Sequence, residues 1–147
     1  MELTIKTDKI KILEDFFENL GTMDQRKIFT AGFKKGARPL IAMAQQLVPV
    51  RTGKLRKSIG SLMLASQMAI LVGARKFASH QGRHGHLVES GTEARFRKSG
   101  GATGTMPATH FFETAYDLTK DKMFDSVQQE WYDSIERFII STNKRLK

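Results

Sequence analysis

Apolar and polar positions change rhythm several times along the chain, and each change marks an element. Leu3 and Ile5 alternate with Thr4 and Lys6, the period of a short strand. Thr7 or Asp8 can cap a helix in which Ile10, Leu13, Phe16, Phe17 and Leu20 recur at helical spacing, and Gly21 stops it. Thr22 with Gln25 fits a capping box for a second helix. Its apolar face would be Ile28, Phe29, Phe33, Leu40, Ile41, Ala44, Leu47 and Val48. Gly32 and Gly36 weaken that helix and Pro39 removes a backbone donor, so a kink or break is expected near Gly36–Arg38. Pro49 ends it.

Val50–Lys54 reads as a turn in which Gly53 is free to take positive φ. From Leu55 the pattern becomes strand-like, with Ile59, Ser61 and Met63 on one face and Leu62 and Leu64 on the other. Ser66–Gln67 links it to a second strand at Met68–Val72, ended by Gly73. Ala74–Gly85 is basic, histidine-bearing and punctuated by glycine, hence a loop, and Leu87–Ser90 reads as a short strand. Glu93–Thr105 has no apolar period and reads as a long loop, a class that is usually functional or disordered. Pro107 and Thr109 open a long last helix, with Thr109 as its cap. Phe111, Ala115, Leu118, Phe124, Val127, Trp131, Ile135, Phe138 and Ile139 would form its apolar face.

This order predicts an α+β fold: a small antiparallel sheet of about four strands covered by a kinked N-terminal helix and a long C-terminal helix. Residues 1–147 form a single domain on this reading. Within it, 1–21 carries a strand and a short helix, 93–105 is a long basic glycine-rich loop, and 109–145 is the last helix.

Charge sharpens the picture. The net +9 is concentrated: Gln25–Val88 holds twelve basic residues and no Asp or Glu, whereas Met1–Asp24 has six acidic residues against three basic. A 64-residue acid-free block creates a positive field that attracts polyanions or an acidic protein face. Its aromatics are few (Phe29, Phe33, Phe77), which does not support a stacking platform for single strands. With no cysteine, disulfides, thiolate zinc sites and a cysteine nucleophile are excluded. No apolar run approaches the ~18 residues of a membrane span. Met1–Leu20 lacks the apolar stretch of a signal peptide, so an intracellular start is expected.

Candidate chemistry is thin. Gly53–Lys54 resembles the end of a phosphate loop, but Val48 and Leu55 stand where a glycine and a Ser or Thr are needed. His80, His84 and His86 have a spacing that one metal could use. Arg75, Lys76 and Arg83 oppose a cation there, so solvated histidines on a basic loop are the simpler expectation and no metal or cofactor is expected. Glu89 and Glu93 are the two acids in the middle of the chain, too few for an acid–base pair. A salt bridge from Glu89 to a residue such as Arg51 or Arg56 is expected instead. No catalytic set emerges, and an enzyme is not expected. The last helix's stripe through Trp131, Phe138 and Ile139 reads as core-facing, with the final turns free to project toward a neighbour.

Three segments carry a resemblance. Val48–Ile59 reads VPVRTGKLRKSI, Leu87–Thr92 reads LVESGT, and Pro107–Ala115 reads PATHFFETA. In this order, across Ile28–Tyr116, they resemble the family of small tail-completion or head–tail joining proteins of long-tailed bacteriophages. An acidic residue is common in that family where this chain has Arg51, an aromatic where it has Ser90, and a second proline where it has His110. The resemblance implies a structural virion protein forming a ring, commonly hexameric, in the neck between connector or stopper and the tail tube or tail terminator. DNA would pass through the channel without sequence specificity. The residues that would shape the fold are Pro49, Thr52, Gly53, Leu55 and Ser58; Glu89, Gly91 and Thr92; and Pro107 and Phe111, the last two docking the final helix on the sheet. Interface or channel candidates are Arg75, Lys76, Arg83, Arg95, Arg97 and Lys98. The competing expectation is a basic nucleic-acid-binding α+β module outside any virion, whose affinity for duplex falls steeply with salt.

Overall fold

The computed structural model describes residues 22–64, 66–76 and 82–145, together with Glu18. The strand and helix expected before Gly21 lie, Glu18 apart, outside those residues.

Thr22–Leu47 forms one continuous helix, α1, with Pro39 inside it. The break expected near Gly36–Arg38 is not there. Gly32 and Gly36 lower helix propensity, but they are also where the last helix comes closest. A Cβ on Gly32 would stand 2.1 Å from Nε1 of Trp131, and one on Gly36 would stand 2.3 Å from Cγ2 of Val127. Tertiary packing secures turns that propensity alone leaves weak.

Gly53 takes φ 71°, as a turn residue without a Cβ can. Its carbonyl accepts the Lys57 N–H at 3.0 Å, and the chain enters a short helix, α2, over Lys54–Ser58. A strand was expected to begin at Leu55. Instead Leu55 and Ser58, three apart, share the buried side of one helical turn. β1 (Ile59–Leu64) and β2 (Ala69–Ala74) then form an antiparallel hairpin in which Ser61 faces Val72 and Leu62 faces Leu71. The alternation read from the sequence holds: Leu62 and Leu71 lie on the outer, exposed face.

Gly85–Ser90 is a short helix, α3, where a strand was expected over Leu87–Ser90. Two adjacent apolar residues do not fix a period. The Val88 N–H reaches the His84 carbonyl at 3.2 Å, which closes a helical turn. The segment read as a long loop is a second hairpin, β3 (Thr92–Phe96) with β4 (Ala102–Met106). The four strands therefore make two two-stranded sheets rather than one sheet of four. α4 spans Phe111–Arg145, a rod about 50 Å long at ~1.5 Å per residue.

The fold is α+β, with α1 at its centre: α4 packs along one side of it and β1–β2 against another. The core joins Leu40, Ala44 and Val48 of α1 to Leu55, Ile59, Val88, Phe111 and Ala115. Burial of these side chains drives the association, at roughly 1.5–3 kcal/mol for each large one fully buried. Among the described residues, no helix is long and apolar enough to cross a membrane.

Candidate functional site

The second and third signature segments meet in one joint. The two carboxylate oxygens of Glu89 accept the backbone N–H groups of Phe112 (2.9 Å) and Glu113 (3.1 Å), the first turn of α4. A helix leaves its first N–H groups unsatisfied and carries partial positive charge there, so a carboxylate is the fitting cap. This replaces the salt bridge expected from Glu89 to Arg51 or Arg56. Thr109 does not cap α4; its hydroxyl donates to the Val88 carbonyl at 2.8 Å, and its N–H bonds to the end of α3. Gly91, at φ 74° and ψ −173°, lets the chain pass so close that a Cβ would stand 2.7 Å from the Ala108 nitrogen. Thr92 Oγ1 accepts the Met106 N–H at 3.0 Å and closes the base of the second hairpin.

The first signature completes the joint. Ser58 is fully buried; its hydroxyl donates to the Leu55 carbonyl at 2.7 Å, and its own carbonyl accepts the Arg75 N–H at 3.0 Å. All three segments line one open cleft of about 420 Å³: Pro49, Thr52, Gly53 and Leu55 from the first, Val88 from the second, and Pro107 and Thr109 from the third. Phe111 is buried in the core, whereas Pro107 stays exposed on the cleft rim. The residues of the motifs are thus scattered in sequence and joined in space. His84, singled out in the sequence only for a metal-like spacing, and Met106, which carries no sequence signal, also line the cleft.

The basic candidates divide. Arg75 is half-buried, with its guanidinium over Gly60 and Nε donating to the Ser58 carbonyl at 3.5 Å. It is a structural strut rather than a free contact. Lys76 and Arg83 are exposed on the rim of a larger groove that Phe112 and Tyr116 also line. Arg95, Arg97 and Lys98 sit on the second hairpin, whose strands pack chiefly on each other and whose Phe96 is 68% exposed. The hairpin is an arm, and its basic residues flank one uncovered aromatic residue in sequence.

His80 lies outside the described residues, and His84 and His86 are exposed. The structure instead gathers Glu89, His110 and Glu113, with ligand atoms all within 4.8 Å of one another. His110 Nδ1 stands 3.2 Å from Glu113 Oε2. Both oxygens of Glu89 already hold N–H groups, and the positive end of a helix disfavours a cation, so this cluster serves as the cap of α4.

Along the other half of α4, Trp131 sits edge-on to Phe29 (5.2 Å) and Phe33 (5.8 Å) over Gly32. Lys35 donates to Glu130 at 2.7 Å across the two helices, and Arg137 reaches the other oxygen of Glu130 at 2.5 Å. The hydrogen bond from Lys35 holds the Glu130 carboxyl below its ordinary range, and that bond to Glu130 raises Lys35 above its own. The apolar face expected of α4 splits. Phe111, Ala115, Val127 and Trp131 turn inward, while Leu118, Phe124 and Ile139 stay exposed. The inward line advances by four residues at a time (Ala115, Thr119, Met123, Val127), and Leu118 lies on the side away from it.

No curated protein and no solved structure matches the chain significantly. A family model described as "Bacteriophage HK97-gp10, putative tail-component" matches residues 11–91, just over half of the sequence. The match takes in the first signature segment and the second as far as Gly91, at the joint that carries α4. The chain belongs to this HK97-gp10-like family of phage tail components.

Proposed function

We propose that the chain is an architectural, non-catalytic subunit of a homo-oligomeric ring in the neck of a long-tailed phage. The ring lies between the connector or stopper and the tail tube or terminator, around the DNA channel, and assembles in the host cytoplasm. Family membership supports a place in the tail. The observation that carries the finer reading is that one subunit offers two different uncovered surfaces. One is the basic arm with Phe96; the other is the outer side of α4 with Leu118 and Tyr132. A head-to-tail ring needs two unlike faces of this kind on every copy. The use of Glu89, the first acid after the basic block, as a helix cap supports an architectural role for it.

Native mass spectrometry of the full chain, alone and with tail-tube and connector proteins, tests the proposal. A closed oligomer, by itself or on those partners, is expected. A strict monomer that co-purifies with neither partner overturns it. Weak duplex binding is expected as well, because a channel must let DNA slide. Tight binding that falls steeply with salt would instead support a nucleic-acid-binding module.

A further inference from the structure

We propose that the arm of one copy seats on the outer face of α4 of the next copy. This rests on the ring reading and assigns its subunit junction. The arm, Thr92–Met106, carries Arg95, Arg97 and Lys98 against Glu93, with Phe96 among them. An isolated two-stranded hairpin is marginal in water and needs a surface to pack on. In its own chain the two strands of the arm pack chiefly on each other, and Thr92, Arg95, Gly104 and Met106 share a cleft with Leu87 and Val88 of α3.

The complementary surface is on α4. Leu118, Asp121, Asp125 and Tyr132 follow at steps of three, four and seven, which places them on one side of the helix. That side points away from α1, and all four are exposed. Leu118 is 63% and Tyr132 51% exposed, whereas a helix that merely covers a core presents a polar back to water. Asp117, Asp121 and Asp125 have no ion pair among the described residues, and neither have Arg97 and Lys98. Carboxylates around apolar side chains on α4 thus match cations around an aromatic ring on the arm. Duplex DNA is a poor occupant of the α4 face, because its phosphates would meet a row of aspartates. A second copy of this chain brings the required basic arm in every subunit, and the contact is heterologous, so it propagates into a ring.

The absence of cysteine makes the contact testable in the full chain. Lys98→Cys and Asp121→Cys are introduced together and the protein is treated with a short bis-maleimide. The contact predicts a ladder of covalent multimers. The two singly substituted chains, mixed, should stop at one covalent heterodimer, since each supplies half of one junction. Reversing the arm (Arg97→Glu with Lys98→Glu) should weaken self-association about tenfold or more, the scale of two rim charge pairs. Adding Asp121→Lys with Asp125→Lys should restore it. A doubly substituted chain that yields no more covalent multimer than either single one overturns the contact. If native mass spectrometry shows a closed oligomer in that case, the ring reading survives without this junction. If it shows a monomer both alone and with the partner proteins, both readings fall.

Discussion

Glu89 and Phe112 lie 23 positions apart, and one hydrogen bond of 2.9 Å makes the end of α3 the start of α4. The Val-Glu and Phe-Phe pairs of two separate motifs are parts of one device. Replacing Glu89 by Ala leaves two N–H groups of a 35-residue helix without their cap. A loss of about 1–2 kcal/mol in urea unfolding is expected. Glu89→Gln keeps one acceptor and should lose less. Equal stability of all three proteins would remove the cap from the account.

Gly91 is the hinge of the same joint. Its φ of 74° with ψ of −173° belongs to a region that only glycine visits readily, and a Cβ there would press on the Ala108 nitrogen. Gly91→Ala should cost at least about 1–3 kcal/mol from backbone strain. Thermal unfolding measures it.

Helix propensity and packing make opposite predictions for Gly36→Ala. Propensity favours alanine by about 1 kcal/mol. The Cβ would overlap Val127, and overpacking typically costs about 1–3 kcal/mol. Packing should win, so the variant should be less stable than the parent. Val127→Ala should rescue part of the loss. The fluorescence of the single tryptophan, Trp131, which lies one turn away on the same contact, should shift.

These glycines show where the sequence could not be read locally. In α1 they looked like a weak point, since nothing near them in sequence indicates that Trp131 and Val127 lie against them. The turn at Gly53, the β1–β2 hairpin and the last helix were legible because each rests on a local signal: a flexible residue, an alternation, a long period. Leu87–Ser90 is helical rather than the expected strand because Leu87 and Val88 fit either period. The arm was read as a loop because strands exposed on both faces carry no apolar alternation. The joint was legible as three motifs but not as one site, because it is made by contacts between segments distant in sequence.

The Lys35–Glu130 pair ties α1 to α4 and should respond to pH at both ends. Glu130, with its folded pKa lowered, contributes stability above its ordinary value of 4.5, and this is lost as pH falls through the lowered pKa. Lys35, with its pKa raised, contributes below 10.5, and this is lost as pH rises through the raised pKa. Unfolding curves between these limits should be flat in pH for this pair. Glu130→Gln should weaken the acid-side fall, and an unchanged fall would contradict the assignment.

Hydrogen exchange should rank the elements. Amides of Thr92–Phe96 and Ala102–Met106 should exchange faster than those of Leu40–Ala44, because the described side chains of the arm beyond its base are exposed. Protection of the arm should rise when the subunits assemble.

The central claim is that this tail component forms a closed ring in the neck. Electron cryomicroscopy of phage particles decorated with an antibody fragment against the chain tests it most directly. The account predicts fragments arranged symmetrically around the head-proximal end of the tail. Decoration along the tail shaft, at its distal tip or on the capsid would contradict it.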